Sequence, residues 1–387
     1  MKNSRKFVSL ASVAILLAGG VLLSGSAANA VSVSNITVGA SPIGVALSPD
    51  GVTAYASNSD GTVSKIDTKT NAVVKTITVG SAAPLGQGPY GIAVSPDGKL
   101  VYVTVNGENS VAVIDTATDV VSHPQGYTGL FSGPYAVVFS PDSSTAYVTQ
   151  ADAGNVAVLH TATNIVDFST ILVGNIPWGI ALNPSGDRAY VTNTGDGTVS
   201  IIDTENKSVL YSVRTGTHEK YEQGQGALGV AVSPNGSFVY VTNNQDNTVS
   251  VIDTVTHTVT FTYPTAFNAT SSFAGPYAVA FSPDSATAYV TNNDGANVFA
   301  IDTTTHALKD TIEVGTNPYG IAVSGGSGSM GYVANTGSDS VSVLTLIAPV
   351  LAVTGTDTSV LALAGGLSLL LILGGFAAVR MRATARR

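Results

Sequence analysis

The sequence predicts an all-β fold, a seven-bladed β-propeller of four-stranded antiparallel blades, and three observations predict it. One block recurs seven times, clearest in the copy that ends at Thr254, ALGVAVSPNGSFVYVTNNQDNTVSVIDT. The copies are anchored at Pro42, Pro89, Pro134, Pro177, Ala227, Pro276 and Pro318, with steps of 47, 45, 43, 50, 49 and 42 residues, the length of a propeller blade. Each copy also divides into short alternating apolar runs separated by turn residues, as a meander of strands requires.

The second copy shows the elements in order. Gly91 to Ser95 reads as the innermost strand, and Pro96-Asp97-Gly98 as a turn. Val101 to Thr104 is the second strand, Asn106 to Asn109 the next turn, Val111 to Asp115 the third strand, and Asp119 to Ser122 the fourth. Small residues recur in the first strand at Gly44, Gly91, Ala136, Gly179, Gly229, Ala278 and Gly320, as crowding near a central axis demands. The second strand repeats Tyr55, Tyr102, Tyr147, Tyr190, Tyr240, Tyr289 and Tyr332, which are expected to pack between blades. Asp67, Asp115, Asp203, Asp253 and Asp302 close the third strand as turn-capping Asx residues; His160 and Thr345 take that place in copies three and seven. The seventh copy stops after three strands, and Asn35-Ile36-Thr37-Val38-Gly39 matches the end of a fourth, Thr76 to Gly80. The first strand of the domain is therefore expected to complete the last blade and remove its open edge.

These repeats resemble the YVTN-repeat β-propeller family over residues 36–346. The resemblance is carried by YVTN at Tyr190–Asn193, Tyr240–Asn243 and Tyr289–Asn292, by SPDG-like turns at Ser48, Ser95, Ser140, Ser233 and Ser282, and by VIDT at Val113 and Val251. It implies the fold. The similar propellers include surface-layer-like proteins, lactonase-like enzymes and secreted proteins, so the activity stays open.

The ends predict export and display. In residues 1–30, Lys2, Arg5 and Lys6 precede an apolar stretch from Phe7 to Leu23, and Ala28-Asn29-Ala30 forms a signal-peptidase site with cleavage between Ala30 and Val31. The propeller is expected over 31–346 and a short linker over 347–359. An uncharged span of membrane-crossing length follows over 360–379, then a basic tail over 380–387 bearing Arg380, Arg382, Arg386 and Arg387. The linker carries Leu351-Ala352-Val353-Thr354-Gly355, and the order of pentapeptide, apolar helix and basic tail resembles the LAxTG form of the sortase sorting signal of Gram-positive surface proteins. The resemblance implies that a sortase cleaves after Thr354 and joins it to peptidoglycan. The alternative is a retained membrane anchor.

With no cysteine in 387 residues, disulfides, thiol nucleophiles and thiolate metal sites are excluded. Between the two ends nine basic residues face 24 acidic ones, a net charge near −15, which excludes nucleic acid as a partner. The two GxGxxG strings, Gly86–Gly91 and Gly224–Gly229, lie in equivalent crossovers and precede strands, whereas a dinucleotide fingerprint precedes a helix. No HExxH, GxSxG or P-loop occurs, and Trp178 alone does not make a quinoprotein, so no cofactor is expected. Asp60, Glu108, Asp152, Asp196, Asp246, Asp294 and Asp339 recur between second and third strands. They could offer oxygen ligands to calcium but read first as turn residues, and no metal is expected.

Long crossovers break the repeat and add Tyr127, Phe131, His218, Tyr221, Phe267 and Phe273, the candidate ligand-binding rim above the channel. The resulting expectation is a monomeric, non-enzymatic surface propeller serving binding, adhesion or wall structure. The alternative is a secreted lactonase- or lyase-like enzyme in which His218, Glu219 and Glu222 would meet the turn carboxylates.

Overall fold

The computed structural model describes residues 31–124, 130–217, 226–263, 273–325 and 329–346, without the side chains of residues 168 and 169. Within them the chain forms seven four-stranded antiparallel sheets arranged as the blades of one propeller. Blade 1 is β2 (Pro42–Leu47), β3 (Thr53–Asn58), β4 (Thr62–Asp67) and β5 (Ala72–Thr78), paired in sequence order from the axis outward. Blades 2 to 6 repeat that order from inner strands Pro89–Val94, Pro134–Phe139, Pro177–Leu182, Ala227–Val232 and Pro276–Phe281. The inner strand of blade 7 is Pro318–Val323, and its fourth strand is β1 (Ser32–Thr37). β1 pairs with Ser340–Thr345 in continuous register from Ser32↔Thr345 to Thr37↔Ser340. The N-terminal closure expected from the sequence is present.

The core lies between blades. Tyr102, Val111 and Val113 of blade 2 pack against Val137, Phe139 and Ala146 of blade 3, with the Tyr102 ring edge-on to Phe139 at 4.8 Å. Tyr240 repeats this contact on Phe281 at 4.9 Å. The repeated tyrosines are therefore scaffold. The third-strand aspartates cap turns: Asp67 Oδ1 accepts the amides of Lys69 at 2.9 Å and Thr70 at 2.8 Å, and Asp253 Oδ1 those of Val255 and Thr256. The amide and hydroxyl donors hold Asp67, Asp115 and Asp253 below the usual carboxylate range.

A second set of bonds ties each blade to the next. Thr104 Oγ1 accepts the Gly91 amide of its own blade at 2.8 Å and donates to the Tyr135 carbonyl of blade 3 at 2.7 Å. Ser57, Thr149, Thr192, Thr242 and Thr291 repeat the donation to the carbonyls of Tyr90, Trp178, Leu228, Tyr277 and Tyr319. These hydroxyls hold the threonine position of the YVTN motif. Blade 7 has Ala334 there, so its seam with blade 1 is held differently, by Thr336 Oγ1 donating to the Pro42 carbonyl at 2.7 Å and by the β1 pairing.

Two outcomes test this account. Deleting residues 31–38 exposes the Ser340–Thr345 edge and is expected to lower Tm by on the order of 10 °C; an unchanged melting curve refutes closure by β1. Thr104→Val strands the Gly91 N–H and the Tyr135 C=O, with an expected cost of about 1–3 kcal/mol in denaturant unfolding, while Thr104→Ser retains most of the stability.

Candidate active site at the channel mouth

The inner strands approach the axis so closely that only small residues fit at one position. A Cβ on Gly91 would lie 2.3 Å from the Tyr135 carbonyl oxygen, and one on Gly229 2.4 Å from that of Tyr277. At the same place the ladder with the second strand is interrupted, between Pro89 and Ile92, Pro134 and Val137, and Pro276 and Val279. The irregularity re-aims the residue after the anchor proline. That residue is aromatic in five blades: Tyr90, Tyr135, Trp178, Tyr277 and Tyr319; Ile43 and Leu228 complete the ring. Tyr90, Tyr135, Trp178 and Tyr277, with Ile43, Leu228 and the hub glycines, line a cavity of about 180 Å³.

The rings form two walls separated by Ile43 of blade 1 and Leu228 of blade 5. On one side Tyr135 stacks on Trp178 at 3.9 Å and 24°, and Tyr90 stands edge-on to them at 5.0 and 5.6 Å. On the other, Tyr277 lies 4.2 Å from Tyr319. The hydroxyls of Tyr90 and Tyr277 hydrogen-bond across the channel, and Tyr277 also bonds the Trp178 side chain. Burial pushes the phenols of Tyr90 and Tyr277 well above their ordinary value, and burial with the Asp152 charge behind it pushes Tyr135 up to about 12. These phenols stay protonated at physiological pH. They can donate to a carbonyl or alkoxide oxygen but cannot serve as the base.

The turn acids surround this mouth, because the turns between second and third strands lie at the end where the inner strands begin. Five of them clamp the crossovers. Asp60 accepts the Ala40 amide at 2.9 Å, Glu108 that of Ser81 at 2.6 Å, and Asp196 that of Asn175 at 2.6 Å; Asp246 and Asp339 do the same for Thr217 and Ser41 at 2.7 Å. Asp152 and Asp294 are exposed, and among the described residues their carboxylates accept no hydrogen bond. Each lies against the left-handed glycine before the anchor proline: a Cβ on Gly133 would sit 2.7 Å from Asp152, and one on Gly275 2.9 Å from Asp294. Among the described residues no cluster of His, Asp or Glu could hold a metal ion.

Of the candidate rim, Phe131 and Phe273 are buried at 5% and 3% exposure inside inter-blade clusters. Phe273 sits 5.4 Å from the Phe299 ring. Both side chains fill gaps between blades and are not exposed as a rim. Tyr127, His218, Tyr221 and Phe267 lie outside the described residues, as do Glu219, Glu222, Ala30, the Leu351–Gly355 pentapeptide and the span 360–379. Val31 packs against the blade 6–blade 7 cluster. Among the described residues no helix is long and apolar enough to cross a membrane. The aromatic ring at the hub was missed by the repeat reading, although an aromatic after the anchor proline in five of seven copies is its sequence signal.

A seven-bladed propeller with a donor-bearing aromatic pocket on its axis is a fold class that holds enzymes as well as binding modules. The chain belongs to the Lactonase, 7-bladed beta-propeller family, whose model matches residues 21–324. Membership overturns the expectation of a non-enzymatic surface module: the repeats carry no trace of catalysis because they encode the scaffold, and the enzyme-like alternative is the better supported. No curated protein matches the chain significantly. Solved structures with the same fold include Kuenenia stuttgartiensis hydrazine synthase, 21% identical, with a TM-score of 0.67 over 78% of this chain and 95% of that one. Virginiamycin B lyase from Staphylococcus aureus is 16% identical, with a TM-score of 0.66 over 82% of this chain and all of that one; a catalytically inactive variant of it with quinupristin scores 0.65.

Proposed function

We propose that the chain is an exported propeller enzyme that opens small cyclic esters at the aromatic mouth of its channel. The observation that carries this reading is the convergence of the Tyr90 and Tyr277 hydroxyls in a ring-sized cavity of a Lactonase-family chain. A cavity of about 150 Å³ holds one benzene ring, so the site suits a monocyclic lactone or one ring of a larger substrate. The lactone carbonyl oxygen displaces one phenol from the other and accepts from Tyr277, with Tyr90 or the Trp178 indole N–H beside it. Water attacks the carbonyl carbon and passes its proton to a carboxylate at the mouth, Asp152 or Asp294. The ring C–O bond then breaks, and the proton goes to the departing alkoxide, leaving a hydroxy acid. The phenols stay protonated and are fixed by packing, so their O–H groups are preorganised to stabilise the oxyanion.

The full-length chain should release acid from γ- or δ-lactones, and Tyr277→Phe should lower kcat/KM about a hundredfold, the usual cost of one oxyanion donor. Acid release from none of a lactone series, or full activity in Tyr277→Phe, refutes this assignment. A product with the mass of its substrate would replace hydrolysis by an elimination.

The same proposal extends to display. The signal-like residues 1–30, the LAVTG pentapeptide and the apolar and basic segments after it support export and anchoring through Thr354. About eight residues separate Leu346 from Thr354, a reach of roughly 25 Å, so the mouth would work close to the wall. Digests of the cell wall should contain a peptide ending in Thr354 joined to peptidoglycan; recovery of the intact tail in membranes would favour a retained anchor.

A further inference from the structure

We infer that the group entering the channel mouth carries a positive charge, as an alkylated or otherwise substituted ammonium. The inference rests on the reading of the mouth as the substrate site and specifies which substrates it takes. Aromatic side chains from both walls, Tyr90, Tyr135 and Trp178 on one side and Tyr277 on the other, line one small cavity, and aromatic rings attract cations through their quadrupole. One carboxylate that accepts no hydrogen bond among the described residues stands by each wall. Asp152 is close enough to Tyr135 to raise its phenol, and Asp294 does the same to Tyr319. The other turn acids accept backbone amides, so among the described residues these two carboxylates are the ones left without a hydrogen-bond donor.

Of the described basic groups, Arg214 alone stands at this end. Lys69, Lys99 and Lys207 lie in turns of the opposite face, and Arg188 and Lys309 start strands there. Lys65 and Lys75 are held by Asp119 on the outer strands. Arg214 ends its strand on the mouth side and donates to the Asp196 carbonyl. A cation is thus met by aromatic faces and two free carboxylates with no described ammonium beside them, whereas an anion would meet uncompensated negative charge. The cavity volume also matches a trimethylammonium head or a single ring.

Trp178 is the only tryptophan of the chain, so its emission reports the cavity directly. Choline and its uncharged isostere 3,3-dimethylbutan-1-ol, titrated into the full-length chain, separate charge from shape. Choline should shift the emission with a Kd at least about tenfold below that of the alcohol, and its Kd should rise severalfold between about 50 and 500 mM salt. Asp152→Asn with Asp294→Asn should bring choline close to the alcohol and leave the alcohol's Kd unchanged. Equal affinity for both probes, salt-independent binding of choline, or no response to choline overturns the inference. Competition separates its failure from that of the site. Lactone opening blocked by the alcohol but not by choline keeps the site and rejects the cation. Choline that binds and leaves lactone opening untouched removes the mouth as the reaction site.

Discussion

The centre of this molecule depends on one hydroxyl in each of six blades. The threonine of the YVTN motif, or Ser57 in blade 1, accepts an amide from its own inner strand and donates to a carbonyl on the next blade's inner strand. Both groups lie at the irregularity where the inner strand leaves its ladder, and both would be orphaned there. One short side chain therefore satisfies the bulge and fixes the spacing of neighbouring blades. The seam between blades 7 and 1 has no such hydroxyl, because Ala334 stands at that position. It is closed instead by β1, by Thr336 on the Pro42 carbonyl, and by Asp339, whose carbonyl accepts the Val38 amide and whose side chain accepts that of Ser41.

The chemistry of the axis follows from that stitch. Holding the bulge open turns the residue after the anchor proline into the channel, and the adjacent glycine or alanine lets the backbones meet behind it. Five aromatic side chains so placed ring the axis, and burial raises the phenols of Tyr90 and Tyr277 so that they stay protonated. The acids around the mouth divide by the same logic. Five secure crossovers by accepting their amides, and Asp152 and Asp294 remain at the surface.

The scaffold was legible in the sequence because each of its rules repeats. The tyrosines of the second strands, the Asx turns and the fourth strand borrowed from residues 32–37 could each be seen by aligning the chain with itself. The site was less legible. Tyr90 and Tyr277 recur at the same register as the scaffold, and recurrence argues for packing, so they were hidden by the feature that revealed the fold. Phe131 and Phe273 misled in the opposite direction: they stand where the repeat lapses, yet they seal gaps between blades.

The sequence by itself determined the number of blades, their strand order and the closure, because a period of 42 to 50 residues with alternating apolar runs has one compact solution. Only the tertiary structure decided which residues face one another across the axis. Tyr90 and Tyr277 are 187 residues apart and hydrogen-bond because the ring sets blade 2 against blade 6. Asp152 and Asp294 stand at the position of five acids that accept crossover amides, and among the described residues they accept none. A local pattern fixes each blade, whereas the convergence of side chains on a common axis is a property of the closed circle.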